Sequence, residues 1–465
     1  MLERNHWKIG SRSRAPRRGA GQVVRLALVG AAPALAVFIW PGSGARADEV
    51  TDWNAIALQQ VLMSPGVSQP RIMAMLGLAQ FDALNSISPQ YKQFSGLPTY
   101  LPNAAGASPQ AAANQAAYAI LLNAMPGRQA DLDAALASHL ATIPDGAAKT
   151  AGIALGNAAA QRIITYRAND HTFDVVPYTP GTNPGDWRPT GAAQLPAINA
   201  QWPHVTPFTI ASGSAFRNPN GPPALDSAAF ATAVNEVRDI GSINSTTRTQ
   251  AQTDTAKFWY TAAGTTNQVP GIWNRAAVNT LQTHPQQNLT AEARLMTLLN
   301  MAMHDDFIGS NDDKFHYNFW RPETAIHMAN TYNNPQIAQD ATWTPLLPAP
   351  PFPSYVSNHA SLDGAAAEVL KDYYQTDNIT FTVGTQGFVL PDRTYTNFSD
   401  AALEGALSRI YAGIHYRFDS DDGLVLGRDV GSYVFANELQ PLPYPAGVTL
   451  LVLAAGGLLL ARRRR

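Results

Sequence analysis

The chain has 465 residues, 45% hydrophobic and 14% charged, with a formal net charge of −2, which is the composition of a globular protein with a large core. Eight basic residues crowd into Met1–Ala47 and four more form Arg462–Arg465, so the body between holds 20 basic against 33 acidic residues, too acidic to favour a nucleic-acid partner. With no cysteine, disulfides, thiolate catalysis and thiolate-held zinc or iron–sulfur clusters are excluded.

Residues 1–47 read as an export signal. A basic start runs through Arg17-Arg18 and Arg25, the apolar stretch LALVGAAPALAVFIW follows, and Ala45-Arg46-Ala47 fits a small-x-small cleavage site before Asp48. The apolar run is short for a membrane span and contains Pro33. Residues 48–255 are expected to form an N-terminal helical region. Asp52–Leu62 and Pro70–Asn85 carry apolar residues at helical spacing, and the Ala-rich stretches Pro109–Asn123, Gln129–Leu140 and Ala147–Ala168 continue it. In Asp174–Pro223, Pro, Gly, Thr and Trp crowd together without a period, the pattern of a long ordered loop. Ser227–Gly241 and Thr247–Trp259 return to helical spacing.

Residues 256–440 are expected to be a second, catalytic block. A cap near Leu289-Thr290 precedes AEARLMTLLNMAMHDDFIG, and further helices are expected over SLDGAAAEVLKDYY and DSDDGLVLGRDVGSYVF. There is no internal repeat of fixed period. The expected fold is all-α: helical bundles, with an N-terminal layer packed on a C-terminal four-helix bundle that holds the active site. Residues 441–465 end in PLPYPAGVTLLVLAAGGLLLARRRR, a proline-rich entry, a short apolar helix and a basic end that together read as a membrane stop.

Three segments of the second block carry the chemistry. KFHYNFWRP holds Lys314 and Arg321, seven apart, which on one helix would lie two turns apart on nearly the same face. PFPSYVSNHA holds Ser357, Asn358 and His359 at the start of an expected helix, where free N–H groups favour an anion. SRIYAGIHYRFD holds Arg409, His415 and Asp419. Three cations, a hydroxyl, backbone N–H groups and two imidazoles are the set needed to hold an oxyanion and pass it protons. His304, Asp305 and Asp306 read as tethers for arginines rather than a divalent metal site, and His316 and His327 as packing or surface residues.

In these segments the chain resembles the vanadium-dependent haloperoxidases and, more broadly, the type 2 phosphatidic acid phosphatase superfamily, whose pattern is Lys-x6-Arg-Pro, Pro-Ser-Gly-His, then Ser-Arg-x5-His-x3-Asp. The resemblance is closest over Met301–Gly423 and looser at DWNAIALQQVL and MLGLAQFDALNSI. It implies a vanadate cofactor held by Lys314, Arg321, Ser357, Asn358, Arg409 and His415, with His415 as the axial imidazole bonded to the metal. It further implies that His359 handles peroxide protons, that Lys314 polarises peroxide, and that hydrogen peroxide and halide are substrates, with a small organic acceptor. Asp419 would orient His415; its structural reading is a cap for the next helix.

Two positions depart from the pattern. Asn358 stands where the family has Gly, and Asn311 where haloperoxidases often carry an aromatic residue, leaving Phe352 as the expected apolar wall. The phosphatase branch of the superfamily would use His415 as a nucleophile through a phosphohistidine. A third reading is a surface-displayed binding or matrix protein with a degenerate pocket. The C-terminal segment also resembles PEP-type sorting signals processed by exosortases, with Pro443-Tyr444-Pro445 at the motif and no Glu. Both ends imply an exported protein of a Gram-negative bacterium, in the periplasm, on the outer surface or in the extracellular matrix, with membrane contact through the C-terminal segment.

Overall fold

A computed structural model describes residues 48–62, 68–98, 100–260, 269–384 and 390–443. The segment read as an export signal, and all but the first three residues of the segment read as a membrane stop or sorting signal, lie outside these residues. No helix among the described residues is long and apolar enough to cross a membrane.

The all-α expectation holds, with thirteen α-helices among the described residues. The first five are α1 (Glu49–Leu62), α2 (Gln69–Ile87), α3 (Pro109–Ala124), α4 (Gln129–Ala141) and α5 (Ala147–Tyr166). They begin where local chemistry allows: Ser108 caps α3 by accepting from the Ala111 N–H, and Pro109 follows in the first turn, where its missing donor costs nothing. Next come α6 (Ala228–Gly241), α7 (Gln250–Phe258), α8 (Val269–Thr283) and α9 (Leu289–Tyr317). Thr249 and Gln252 form a reciprocal capping box on α7, and the Asn288 side chain caps α9. The last four are α10 (Pro322–His327), α11 (Asn358–Tyr374), α12 (Phe398–Tyr411) and α13 (Arg417–Asn437). Strands β1 (Phe381–Val383) and β2 (Arg393–Tyr395) pair antiparallel, Phe381 opposite Tyr395, as a small ribbon beside α8.

The 29-residue α9 is buried along most of its length, as expected for a helix enclosed on all sides. It packs against α2 of the N-terminal layer and against α11 and α13, while α12 closes the second bundle on α11 and α13. Residues 174–223 form the irregular wrap expected from their composition, with short 3-10 turns at Trp202–His204 and Gly213–Phe216. The wrap is tied to the second bundle through its backbone. The Trp187 N–H donates to the Asn318 carbonyl (2.7 Å), and the Phe208 and Thr209 N–H groups donate to the buried Asp305 carboxylate (2.7 and 2.6 Å).

One packing feature sets up everything that follows. On α13, Gly423, Gly427 and Gly431 recur every four residues and face α11; a Cβ added at Gly427 would sit 1.9 Å from the Ser361 carbonyl oxygen. Only glycine permits this approach. It brings the N-termini of α11 and α13 together, so that the Ser357 N–H donates to the Asp419 carbonyl at 2.8 Å.

Candidate active site

Five helix ends deliver the expected residues to one buried cluster. Lys314 comes from the C-terminal turn of α9, Arg321 from the cap position of α10, Ser357, Asn358 and His359 from the start of α11, and Arg409, His415 and Asp419 from the end of α12 and the start of α13. Lys314 and Arg321 do not share a helix as the sequence spacing suggested. α9 stops at Asn318, whose left-handed conformation (φ 50°) turns the chain, and Pro322 opens α10. The two cations still converge, because the Lys314 ammonium and the Arg321 guanidinium both lie 5.1 Å from the centre of the Phe352 ring. Phe352 is thus the expected wall of the cluster, whereas the Asn311 amide turns back to the Phe307 carbonyl at 2.7 Å.

The Lys314 ammonium is fully used. It donates to the carbonyls of Pro353 (3.0 Å), Ser354 (2.8 Å) and Val356 (2.5 Å), which pins the loop leading into α11. Burial, then the neighbouring Arg321, pushes its pKa well down, but three carbonyl acceptors call for all three N–H bonds of the charged form. Arg321 donates through Nε to the Phe352 carbonyl (3.0 Å) and through Nη1 to the Ile414 carbonyl (2.8 Å) and His415 Nε2 (2.9 Å). Its Nη2 is buried and without a partner, and so is Nη2 of Arg409, whose Nε reaches Ser408 Oγ at 3.0 Å.

The hydrogen bonds assign the tautomer of His415. Arg321 can only donate, so Nε2 is an acceptor; Nδ1 therefore carries the proton and donates to Asp419 Oδ2 at 2.8 Å. Burial, followed by Arg321, Lys314 and Arg409, lowers the His415 pKa well below its ordinary value and keeps the ring neutral. Asp419 Oδ2 also accepts from Ser354 Oγ (2.5 Å) and from the Tyr416 N–H (3.2 Å). Burial raises the Asp419 carboxyl to about 7 against the pull of these partners and cations. Asp419 is not the cap of α13, which is Tyr416; it stands at the third position of the helix, accepts from the Tyr416 N–H and bonds His415 with the same oxygen.

Ser357 is the cap residue of α11; its oxygen accepts from the Ala360 N–H at 3.4 Å, which leaves its own hydrogen free to donate. Both amide atoms of Asn358 and the Nε2 of His359 are buried without partners. Burial, then Arg409, lowers the His359 pKa well below its ordinary value. Unpaired buried polar atoms are expensive and rare. Here Arg321, Arg409, Asn358 and His359 all supply them, and the donor set fits a tetrahedral oxyanion.

Two participants escaped the sequence reading. Ser354 bridges the loop to Asp419 and lies 3.4 Å from His415 Nδ1; no local pattern marks it. Asp363 sits 3.9 Å from His359, and its i+4 spacing, the same as that of His415 and Asp419, was available as a signal. Asp305 and Asp306 do not tether arginines as expected: Asp305 accepts from the backbone N–H groups of Phe208, Thr209 and Ile210 and contacts His304, and Asp306 accepts from Ser361, while His304 contacts Arg167. No group of acidic and imidazole side chains among the described residues could hold a metal ion by itself. His316 is exposed, and His327 bonds the Trp343 carbonyl at 2.7 Å. A half-open cleft of about 350 Å³ is lined by Phe216, Arg217, Asp422 and Asp429, and no residue of the cationic cluster lines it.

Known proteins place this arrangement. Residues 294–442 match the VCPO second helical-bundle domain, and that stretch contains every residue of the cluster. A bacterial vanadium-dependent iodoperoxidase of known structure superposes with a TM-score of 0.73 at 27% identity, covering 85% of this chain and 97% of that one. The second bundle is thus similar to that of vanadium chloroperoxidases, and the fold of the chain is that of the vanadium haloperoxidases. The vanadium chloroperoxidase of Curvularia inaequalis is 26% identical, in a match covering 38% of each chain, so this chain spans under two fifths of that relative's length. A bacterial vanadium-dependent chloroperoxidase in its holo form shares the fold at 18% identity and a TM-score of 0.65. The haloperoxidase-like fold accounts for the second bundle and for the N-terminal layer alike, since the iodoperoxidase superposition extends over both.

Proposed function

We propose that this protein is a vanadate-dependent haloperoxidase, oxidising halide with hydrogen peroxide to hypohalous acid or halogenated products. The observation that carries the reading is the buried set of donors without partners, Arg321 Nη2, Arg409 Nη2 and the Asn358 amide, beside a neutral His415 whose Nδ1–H is held by Asp419 and whose Nε2 lone pair meets Arg321 Nη1. Arg321, Arg409, Ser357, Asn358 and the first N–H groups of α11 would hold the vanadate oxygens, and His415 Nε2 would bind the metal. When bound, vanadate supplies a Lewis-acid centre that activates peroxide towards halide.

The remaining work falls to the side chains. His359, buried and neutral, takes a proton from the incoming peroxide and returns it to the departing oxygen. Arg321 and Arg409 balance the negative charge of the oxyanion in a site that excludes water. Lys314, fixed on three carbonyls, adds its charge and holds the loop that carries Ser354 and Ser357. Phe352 lies against the Lys314 and Arg321 cations and would offer an apolar face to a polarisable halide.

The same donors suit phosphate, and His415 backed by Asp419 has the geometry of a nucleophile, which favours a phosphohistidine-forming phosphatase as the second reading. One experiment separates the two. Purified protein is given vanadate, hydrogen peroxide and bromide with a dye acceptor, and in parallel a chromogenic phosphate ester without peroxide. Vanadate-dependent bromination suppressed by phosphate is expected; ester hydrolysis inhibited by vanadate, with no bromination, would move the protein to the phosphatase branch. We further propose, from the basic and apolar run of Met1–Ala47 and the PLPYPAGVTLLVLAAGGLLLARRRR end, that the protein works outside the cytoplasm and is processed at its C-terminus.

A further inference from the structure

The structure contains two histidine–aspartate couples of identical spacing, one at the start of each paired helix. His415 and Asp419 form the first, closed at 2.8 Å. His359 and Asp363 form the second, on α11, with Nε2 and Oδ2 3.9 Å apart. In the second couple these two facing atoms are both buried and neither has any other partner.

The surroundings of Asp363 are those of a placed carboxylate. The residue is fully buried. Its Oδ1 accepts from the Trp273 indole N–H of α8 at 2.7 Å. Its Oδ2 occupies space that exists because residue 405 of α12 is glycine, since a Cβ there would stand 2.1 Å from that oxygen. One turn further along α12 stands Arg409, whose charge draws Asp363 towards its ionised form while burial opposes it. The indole on α8 thus fixes one oxygen of the carboxylate, the missing Cβ on α12 leaves room for the other, and that second oxygen faces His359.

We propose that Asp363 is a positioning residue for His359: it holds the ring with the proton on Nε2, directed at Oδ2, and so leaves Nδ1 with the free lone pair. This rests on the proposed role of His359 as the residue that takes the peroxide proton. The proton leaves the peroxide oxygen and binds Nδ1, Nε2–H stays hydrogen-bonded to Oδ2, and the ring's new positive charge faces the carboxylate; on return of the proton the couple regains its starting state. Without Asp363, either ring nitrogen can carry the proton, and a ring protonated on Nδ1 has no lone pair to offer. The 3.9 Å gap closes by a torsion of either side chain, as such contacts commonly do when a site fills.

The test reads the tautomer directly and needs no turnover. Protein labelled with 15N-histidine is examined by NMR at neutral pH, with the His359 signal assigned by its loss in His359→Gln. The wild type is expected to show the Nε2–H tautomer at His359, and Asp363→Asn a mixture or the opposite tautomer, with the His415 signal unmoved. An Nδ1–H ring in the wild type, or an unchanged tautomer in Asp363→Asn, overturns the proposal. If Asp363→Asn does not fold, Trp273→Phe removes one donor to the carboxylate without touching His359, and a smaller shift towards the Nδ1–H form is expected; no shift overturns the proposal equally. In turnover, Asp363→Asn is expected to lower kcat about 10–100-fold with little change in vanadate affinity, and Asp363→Glu to recover part of the loss. Absence of bromination in the wild type would count against the proposed function and leave the tautomer result standing on its own.

Discussion

Substituting Asp419 by Asn tests the core of the site. In the wild type, Asp419 Oδ2 accepts from His415 Nδ1 (2.8 Å), Ser354 Oγ (2.5 Å) and the Tyr416 N–H (3.2 Å). An amide oxygen in the same place turns the histidine contact from a charge-assisted bond, about 1.5–3 kcal/mol, into a neutral one of about 0.5–1.5 kcal/mol. The amide can also flip, presenting N–H to the ring; the proton would then move to Nε2 and face Arg321 Nη1, donor against donor, at the nitrogen that should meet the oxyanion. Either outcome weakens anion binding by roughly 1–2 kcal/mol, a loss of about 5–30-fold. Isothermal titration with orthovanadate and with phosphate at pH 8 measures it, and urea unfolding of both proteins shows whether the effect is local. Burial lifts the Asp419 carboxyl to about 7, so the wild type already bears part of the cost of an ionised group at pH 8, and Asp419→Asn should stay within about 1 kcal/mol of it in stability. Vanadate affinity within twofold of wild type would refute the assignment of Asp419 as the group that holds His415.

Arg321→Ala and Arg409→Ala each remove a buried donor now without a partner; each should weaken phosphate binding about 10–150-fold, read by the same titration, and an unchanged affinity would remove that arginine from the site. His415→Ala should abolish vanadate-dependent bromination and phosphate-ester hydrolysis alike while the far-UV helical signal persists; retained turnover would support neither reading. Asp313 has both carboxylate oxygens buried without hydrogen bonds, with Arg217 3.9 Å away, and burial, then Asp312, raises its pKa to about 8. A raised carboxyl contributes stability at low pH that is lost as pH climbs from the ordinary value to the folded one. The stability of Asp313→Asn relative to wild type should therefore rise by about 1.4 kcal/mol per pH unit between pH 5 and 7.5; urea midpoints that track in parallel would refute this. For the whole protein the buried acids dominate. Asp82, Asp306, Asp313, Asp363, Asp419 and Glu292 are all raised, while His304, His359 and His415 are lowered and pull the other way only below about pH 6.5. The melting temperature should be higher at pH 6 than at pH 8.

The sequence by itself determined the helical class, most helix positions and the identity of the cluster. Periodicity and caps are local, and so α2, α3, α4, α5 and α6 fall within a few residues of their expected bounds, while α9 runs on through Lys314. The helix α8 and the ribbon of β1 and β2 went unread, since VPGIW opens α8 without a cap signal and strands of three residues carry no period. The three motifs named Lys314, Arg321, His359, Arg409 and His415 because cations and imidazoles at that spacing suit an oxyanion and resemble a known pattern. What those side chains touch was decided by tertiary structure. Lys314 turns to three carbonyls because the loop before α11 lies against it, and Arg321 leaves the Lys314 helix because Asn318 and Pro322 break the chain between them. Ser354 meets Asp419 and His415 across more than sixty residues only because the glycines of α13 let two helix starts meet. A spacing can place a residue on a helix face, but the approach of two backbones depends on the shape of both, and no single segment contains it.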